Sequence, residues 1–169
     1  KKFKAAMMKS IAQSELDRKR FVYSDIGFIL LQQVVEAVTG KTLDAYLVSE
    51  FYRPMGLEHT LFQPLNRYKK ADIMPTAAND YLRRQDLCGY VYDEAAAFMG
   101  GVSGNAGLFS TAQELGKIYQ MILNEGELDG KRYLRPETCR IFTTEKSAVS
   151  HRGLGYDKPN LKDPKANAC

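Results

Sequence analysis

The stretch FVYSDIGFILLQQVVEAVTG, residues 21–40, constrains this chain more than any other. Ile26, Ile29, Leu30, Gln33, Val34, Ala37 and Val38 recur at helical intervals, which predicts a helix with an apolar stripe that other parts of a fold must cover. Ser24 or Asp25 offers a side-chain oxygen to the free N–H groups at its start, and Gly40 supplies the left-handed residue that ends it. Tyr23, Ser24 and Asp25 therefore stand where a helix begins. The same three residue types also carry chemistry in many enzymes, so the stretch poses a choice between a helix cap and a site.

A chain of 169 residues with 44% apolar content has enough material for a single domain with a real core over 1–169. The apolar run IGFILLQQVVEAV holds two glutamines and a glutamate and falls short of the ~18 residues that span a bilayer, so no transmembrane helix is expected. The net charge of +4 comes from Lys and Arg spread along the chain. Segments such as KKADI and YLRRQ read as solvated faces, and nucleic acid is not an expected partner. Cys88, Cys139 and Cys169 are odd in number and lack metal-ligand spacing. They allow at most one internal disulfide, and three free thiols are the expectation. The chain opens on KKFKAAMMKS and closes on KANAC, which suggests an internal fragment of a longer protein.

An amphipathic helix is expected over Lys4–Leu16, followed by a charged turn at 17–20. After the 26–40 helix, Lys41 or Thr42 starts another through Leu43, Tyr46, Leu47 and Phe51, which Pro54 and Gly56 stop. From His59 to Gly89 prolines and turn residues interrupt any period, predicting a long surface connection with one short helix near Ala71. The glycine-rich GGVSGNAGLFST leads into a helix with a capping box, Thr111 with Glu114 or Ser110 with Gln113. Its glycines are expected to let the backbone pass close to a neighbouring element. Asp129-Gly130 signals a β-hairpin between GEL and KRYL, and Pro136 fits the first position of a short helix. GLGYD reads as one further strand, with 147–169 an extended or flexible tail. The fold class this predicts is mainly α.

Catalytic signatures are sparse. A Ser-Lys hydrolase places the lysine one helical turn after the serine, and no serine of the chain has Lys three residues later. His59 and His151, the two histidines, read as surface residues outside any triad context. GGVSGNAG lacks the lysine of a P-loop and the spacing of a dinucleotide fingerprint, and no metal-ligand spacing occurs, so no cofactor or metal is expected. Tyr23 remains as a proton-transfer candidate. A phenol titrates near ~10, so serving as a base near neutrality would require neighbouring cations. None is visible beside Tyr23 in sequence.

Three blocks in order, YSDIGFILLQQVVEAVTGKTLDAYLVSEFYRPMGLEHT, GGVSGNAGLFSTAQELGKIYQMILNEG and RGLGYDKP, resemble the middle of the serine β-lactamase and penicillin-binding-protein family, in its class C and esterase-like branch. The resemblance covers about three quarters of the chain. It implies the helical lobe of a two-lobed α+β fold, with most of the antiparallel sheet missing. In that family a Ser-x-x-Lys helix, a Tyr-x-Asn motif and a Lys/His-x-Gly strand meet in one cleft. The resemblance assigns Tyr23 to proton transfer and puts Asp25 where asparagine is usual. An ionised aspartate only accepts hydrogen bonds, so the substitution favours peptidase or esterase chemistry over β-lactam hydrolysis.

The resemblance implies that the nucleophile lies before Lys1 and the glycine-bearing strand beyond Cys169, so this chain is expected to be inactive by itself. His151-Arg152-Gly153 spells the latter motif but precedes GLGYD and is read as coincidence. The wording of GYVYDEAAAFMGGVSGNAGLF resembles a subgroup sometimes fused behind a glycoside hydrolase family 3 domain, implying a cell-envelope parent that acts on small-molecule or peptide substrates. The rival expectation is a non-catalytic helical binding domain that retains the scaffold. Either way, apolar faces left open predict self-association.

Overall fold

The structure, a computed structural model, describes residues 2–15, 22–144 and 150–159. Its described residues gather into two compact units: 2–15 with 24–115, and 22–23 with 116–144 and 150–159. The turn expected at 17–20 lies outside the described residues, as does Cys169.

The first unit starts with α1 (Lys2–Gln13), whose Phe3 meets Phe98 of α4 (Glu94–Phe98) at 5.7 Å between ring centres. α2 (Ile26–Thr39) occupies the stretch that hydrophobic spacing marked, and Gly40 ends it in the left-handed conformation at φ 67°. α3 (Leu43–Leu47) continues into a wider π turn, Val48–Tyr52, and the helical path stops at the Pro54 and Gly56 punctuation. Ile29, Leu43, Tyr52, Met55, Leu57, Leu87 and Met99 form the buried core of this unit.

The 59–89 connection has the short helical turn expected near Ala71, at Lys70–Asp72, and corrects the sequence expectation in its strands. It holds β1 (Leu61–Phe62), two 3₁₀ turns at Pro64–Asn66 and Lys70–Asp72, and a hairpin of β2 (Pro75–Asp80) with β3 (Gln85–Cys88). Asp80 makes this hairpin possible where spacing gave no signal. Its buried carboxylate accepts from the Leu82 and Arg83 N–H groups and pairs with Arg83 Nη1 at 2.9 Å, so the turn is closed by a side chain rather than by an Asn-Gly pair. The β2–β3 register shifts twice, which hides period-2 alternation. β1 pairs antiparallel with β4 (Leu108–Phe109), Leu61 opposite Phe109.

α5 (Ala112–Leu123) runs from the first unit into the second. The second unit then forms the expected hairpin, β5 (Glu127–Leu128) with β6 (Lys131–Arg132), through Asp129 and Gly130 at φ 50° and 75°. Two positive φ values in a two-residue loop give the twist that antiparallel strands need. α6 (Pro136–Thr143) begins on its proline, and Met121, Leu128 and Cys139 are buried. Residues 153–157, expected as a strand, instead make a turn in which Gly153 N–H donates to the Tyr156 carbonyl at 2.9 Å. Cys88 and Cys139 are free thiols. The described residues are thus mainly helical, with three two-stranded pairings. No helix among them is long and apolar enough to cross a membrane.

Candidate active-site wall around the start of the second helix

The start of α2 is built by Ser24 more than by Asp25. Ser24 Oγ accepts from the Ile26 N–H at 3.2 Å, and the Asp25 carbonyl accepts from Phe28 and Ile29 at 3.0 and 3.1 Å. The Asp25 carboxylate makes no capping bond, which leaves it available for other partners. Tyr23, just before, is 67% exposed. Tyr52 offers the contrast: burial pushes its phenol up to about 12, so it stays neutral and is no candidate for moving protons.

The glycine-rich segment is fixed against α2 by Gln32, which is 3% exposed. Gln32 Nε2 donates to the Val102 carbonyl at 3.2 Å and Oε1 accepts from the Gly104 N–H at 3.2 Å. Gly104 has to be glycine, because a Cβ there would stand 2.2 Å from the Phe28 carbonyl oxygen. The close backbone path expected from the glycines is therefore what the structure shows. Gln32 also donates to Glu36 at 2.9 Å. Burial pushes the Glu36 carboxyl up, but the bonds from Gln32, the Leu43 N–H and Lys4 outweigh it and hold Glu36 below its ordinary range.

Two further knots escaped sequence reasoning. Asp93 caps α4 by accepting from the Ala96 N–H at 2.7 Å and also takes Asn105 Nδ2 at 3.0 Å, while Ser103 donates to Asn105 at 2.6 Å. An Asp before EAAAF is an ordinary N-terminal helix signal, the one that would have marked α4, a helix absent from the sequence expectation. Glu114 is the second. Thr111 Oγ1 accepts from the Glu114 N–H at 3.2 Å, which is half of the expected capping box. The glutamate then turns away from the helix. It accepts from the Glu58 and His59 N–H groups at 2.9 and 3.0 Å, from Thr60 Oγ1 at 2.6 Å, and meets His59 Nδ1 at 3.0 Å. Burial pushes its carboxyl up, yet those bonds prevail and hold it below the usual carboxylate range. His59 remains half exposed against Tyr68.

Between α2, α3 and the glycine-rich loop lies an open apolar pocket of about 310 Å³, lined by Phe28, Leu31, Leu47 and Leu108 among others. Among the described residues, no group of three or more His, Cys, Asp or Glu side chains is placed to hold a metal ion. The arrangement offers an exposed phenol, a carboxylate at a helix start that makes no capping bond, and a braced loop. Among the described residues a lysine meets a serine where Lys41 Nζ donates to Ser49 Oγ at 3.1 Å, and Glu50 pairs with the same ammonium at 2.9 Å on the exposed surface.

The beta-lactamase family model matches residues 1–159. A protein of Escherichia coli (strain K12), provisionally named as a D-alanyl-D-alanine carboxypeptidase, is 38% identical over 149 residues, covering 81% of this chain and 34% of that protein. An N-acetylmuramyl-L-alanine amidase of Bacillus subtilis (strain 168) is 36% identical over 155 residues, covering 85% of this chain and 35% of the relative. The chain thus spans about a third of the length of the curated relatives it matches. Among solved structures, D-amino acid amidase from Ochrobactrum anthropi SV3 superposes with a TM-score of 0.59 at 12% identity, covering 83% of this chain and 38% of that one. The octameric penicillin-binding protein homologue from Pyrococcus abyssi gives 0.57 at 18% identity, covering 84% and 31%.

Proposed function

Because the chain belongs to the beta-lactamase family, we propose that it is the helical lobe of a serine hydrolase that works through an acyl-enzyme. In the complete protein a Ser-x-x-Lys segment outside these 169 residues supplies the nucleophile. The serine oxygen attacks the substrate carbonyl, its proton passes through the lysine and Tyr23 to the leaving group, and water then releases the acyl group by the reverse proton path. Tyr23 contributes its hydroxyl, and Asp25 faces the lysine as an ion-pair partner. This chain alone lacks the nucleophile and is inactive.

The observation that carries the reading is the exposed Tyr23 set by a Ser24-capped helix start, in a chain whose family match runs almost end to end. The relatives' names, a D-alanyl-D-alanine carboxypeptidase and an N-acetylmuramyl-L-alanine amidase, favour peptide and amide bonds as the parent's substrates. Asp25 in place of the usual asparagine points the same way, since it removes an amide donor for a β-lactam side chain.

Labelling with a fluorophosphonate or a fluorescent penicillin tests this. The full-length protein should label on one serine, lose most of that labelling in Tyr23→Phe, and this chain alone should not label. Specific serine labelling of the chain alone sinks the claim of inactivity. The second reading, a non-catalytic binding domain, draws on Asp25 itself; a full-length sequence with neither Ser-x-x-Lys before this region nor Lys/His-x-Gly after it would establish that reading instead.

A further inference from the structure

Tyr23 has a cationic neighbour that sequence distance conceals. The guanidinium carbon of Arg152 lies 5.3 Å from the centre of the Tyr23 ring, inside the ~6 Å range over which a cation is attracted to an aromatic face. Arg152 is itself oriented. Its Nη2 donates to one Asp157 carboxylate oxygen at 3.0 Å, and the other oxygen meets His151 Nε2 at 3.1 Å. The backbone that carries these side chains is tied to α6: the Leu154 N–H donates to the Phe142 carbonyl at 2.8 Å, and Lys158 Nζ donates to the Thr143 carbonyl at 2.8 Å. A continuous set of contacts therefore runs from the end of α6, through a closed turn, to the ring of Tyr23.

A tyrosine this exposed has rotamer freedom to lose before its hydroxyl can occupy one place. A guanidinium suits the task of restricting it, because the group is planar, always charged and stacks on ring faces, while a carboxylate can fix its plane through the edge N–H groups. Resting on the reading of Tyr23 as a proton-transfer residue, we infer that Arg152 is the positioning residue for Tyr23. Asp157 orients Arg152, and His151 braces Asp157. The triplet His151-Arg152-Gly153, a coincidence of spelling as a strand motif, holds a functional role of another kind.

The test uses the full-length protein with ¹³C-labelled tyrosine and p-nitrophenyl acetate as the substrate probe. Arg152→Met, which keeps length and removes charge, should shift the Tyr23 ring signals, identified by their loss in Tyr23→Phe. It should also lower kcat about tenfold, with KM changed by less than about twofold, since displacing a reacting group by about 1 Å costs up to about a hundredfold. Arg152→Lys, which restores a cation without the planar group, should recover at most about half of the lost rate. Asp157→Asn should fall between the two. Rates are taken per mole of folded protein, measured by far-ultraviolet circular dichroism, so that a loss of folded protein does not pass for a loss of positioning.

Unchanged Tyr23 signals and kcat in Arg152→Met overturn the positioning role. Unchanged kcat in Tyr23→Phe overturns the catalytic reading of Tyr23 separately, whatever its ring signals show.

Discussion

Replacing Glu114 by alanine should destabilise the first unit more than most single substitutions on its polar face. The carboxylate satisfies the Glu58 and His59 N–H groups and the Thr60 hydroxyl, and Glu114 is only 7% exposed. An unmade buried hydrogen bond costs about 1–3 kcal/mol. Thr60 retains Ser110 as a partner at 2.7 Å, so two orphaned N–H groups set the loss at about 2–4 kcal/mol, near the lower end because the half-exposed His59 lets water in. For a chain of this size that lowers the melting temperature by roughly 4–16 °C. Glu114→Gln keeps one acceptor oxygen and should lose about half as much.

The pH dependence has a definite sign. The folded-state carboxyl of Glu114 sits below its ordinary range, so its contribution is complete above the unfolded value of about 4.3 and disappears as pH falls through the lower folded value. Urea titrations followed by far-ultraviolet circular dichroism between pH 7 and about pH 3 would measure both effects. Glu114→Ala should reduce the midpoint at neutral pH and flatten its acid dependence. A variant within about 0.5 kcal/mol of the parent at pH 7 would refute the argument that this carboxylate holds the 58–60 backbone to α5.

Gly104→Ala places a methyl against the Phe28 carbonyl and should cost about 1–3 kcal/mol in urea unfolding, whereas Gly27→Ala and Gly116→Ala, helical positions with nothing within 4 Å, should add about 0.5–1 kcal/mol. Asp25→Asn in the full-length protein should speed acylation by a fluorescent penicillin, measured by stopped-flow labelling, since it restores an amide donor; a slower reaction would remove Asp25 from the substrate contacts. Ile26, Leu31, Val34 and Val38 on α2 are 39%, 56%, 55% and 80% exposed, so this chain expressed alone should associate with rising concentration in light scattering. Leu31→Lys with Val38→Lys should return it to monomer, and a parent chain that stays monomeric up to about 0.1 mM contradicts the idea.

Local signals in the sequence were reliable wherever backbone geometry depends on one or two residue types. Gly40, Asp129-Gly130 and Pro136 mark the end of α2, the β5–β6 hairpin and the start of α6 because left-handed or fixed φ values leave few residues to choose from. Periodicity found α2 and α5 for a similar reason, since a long repeat outweighs local noise. Asp80 was opaque although its partners Leu82 and Arg83 are local, because the shifted β2–β3 register hides the alternation that marks a hairpin; Glu114 was opaque because its partners are set by a chain path far from the local pattern. Glu114 reads as half of a capping box, and a reader of the sequence alone has no means to know that Glu58, His59 and Thr60 approach it from 54 to 56 residues away.

By itself the sequence determined the helical character of the chain, the position of Tyr23 at a helix entrance and, through three ordered blocks, the family. Those properties are written in short-range spacing and in residue identity, which survive without coordinates. Only the tertiary structure decided that Ser24 rather than the Asp25 side chain receives a helix N–H, that Gly104 is required by the Phe28 carbonyl, and that Arg152 stands over Tyr23. Each depends on an atom-to-atom distance of a few ångströms, and in the last two that distance joins segments that linear spacing treats as unrelated.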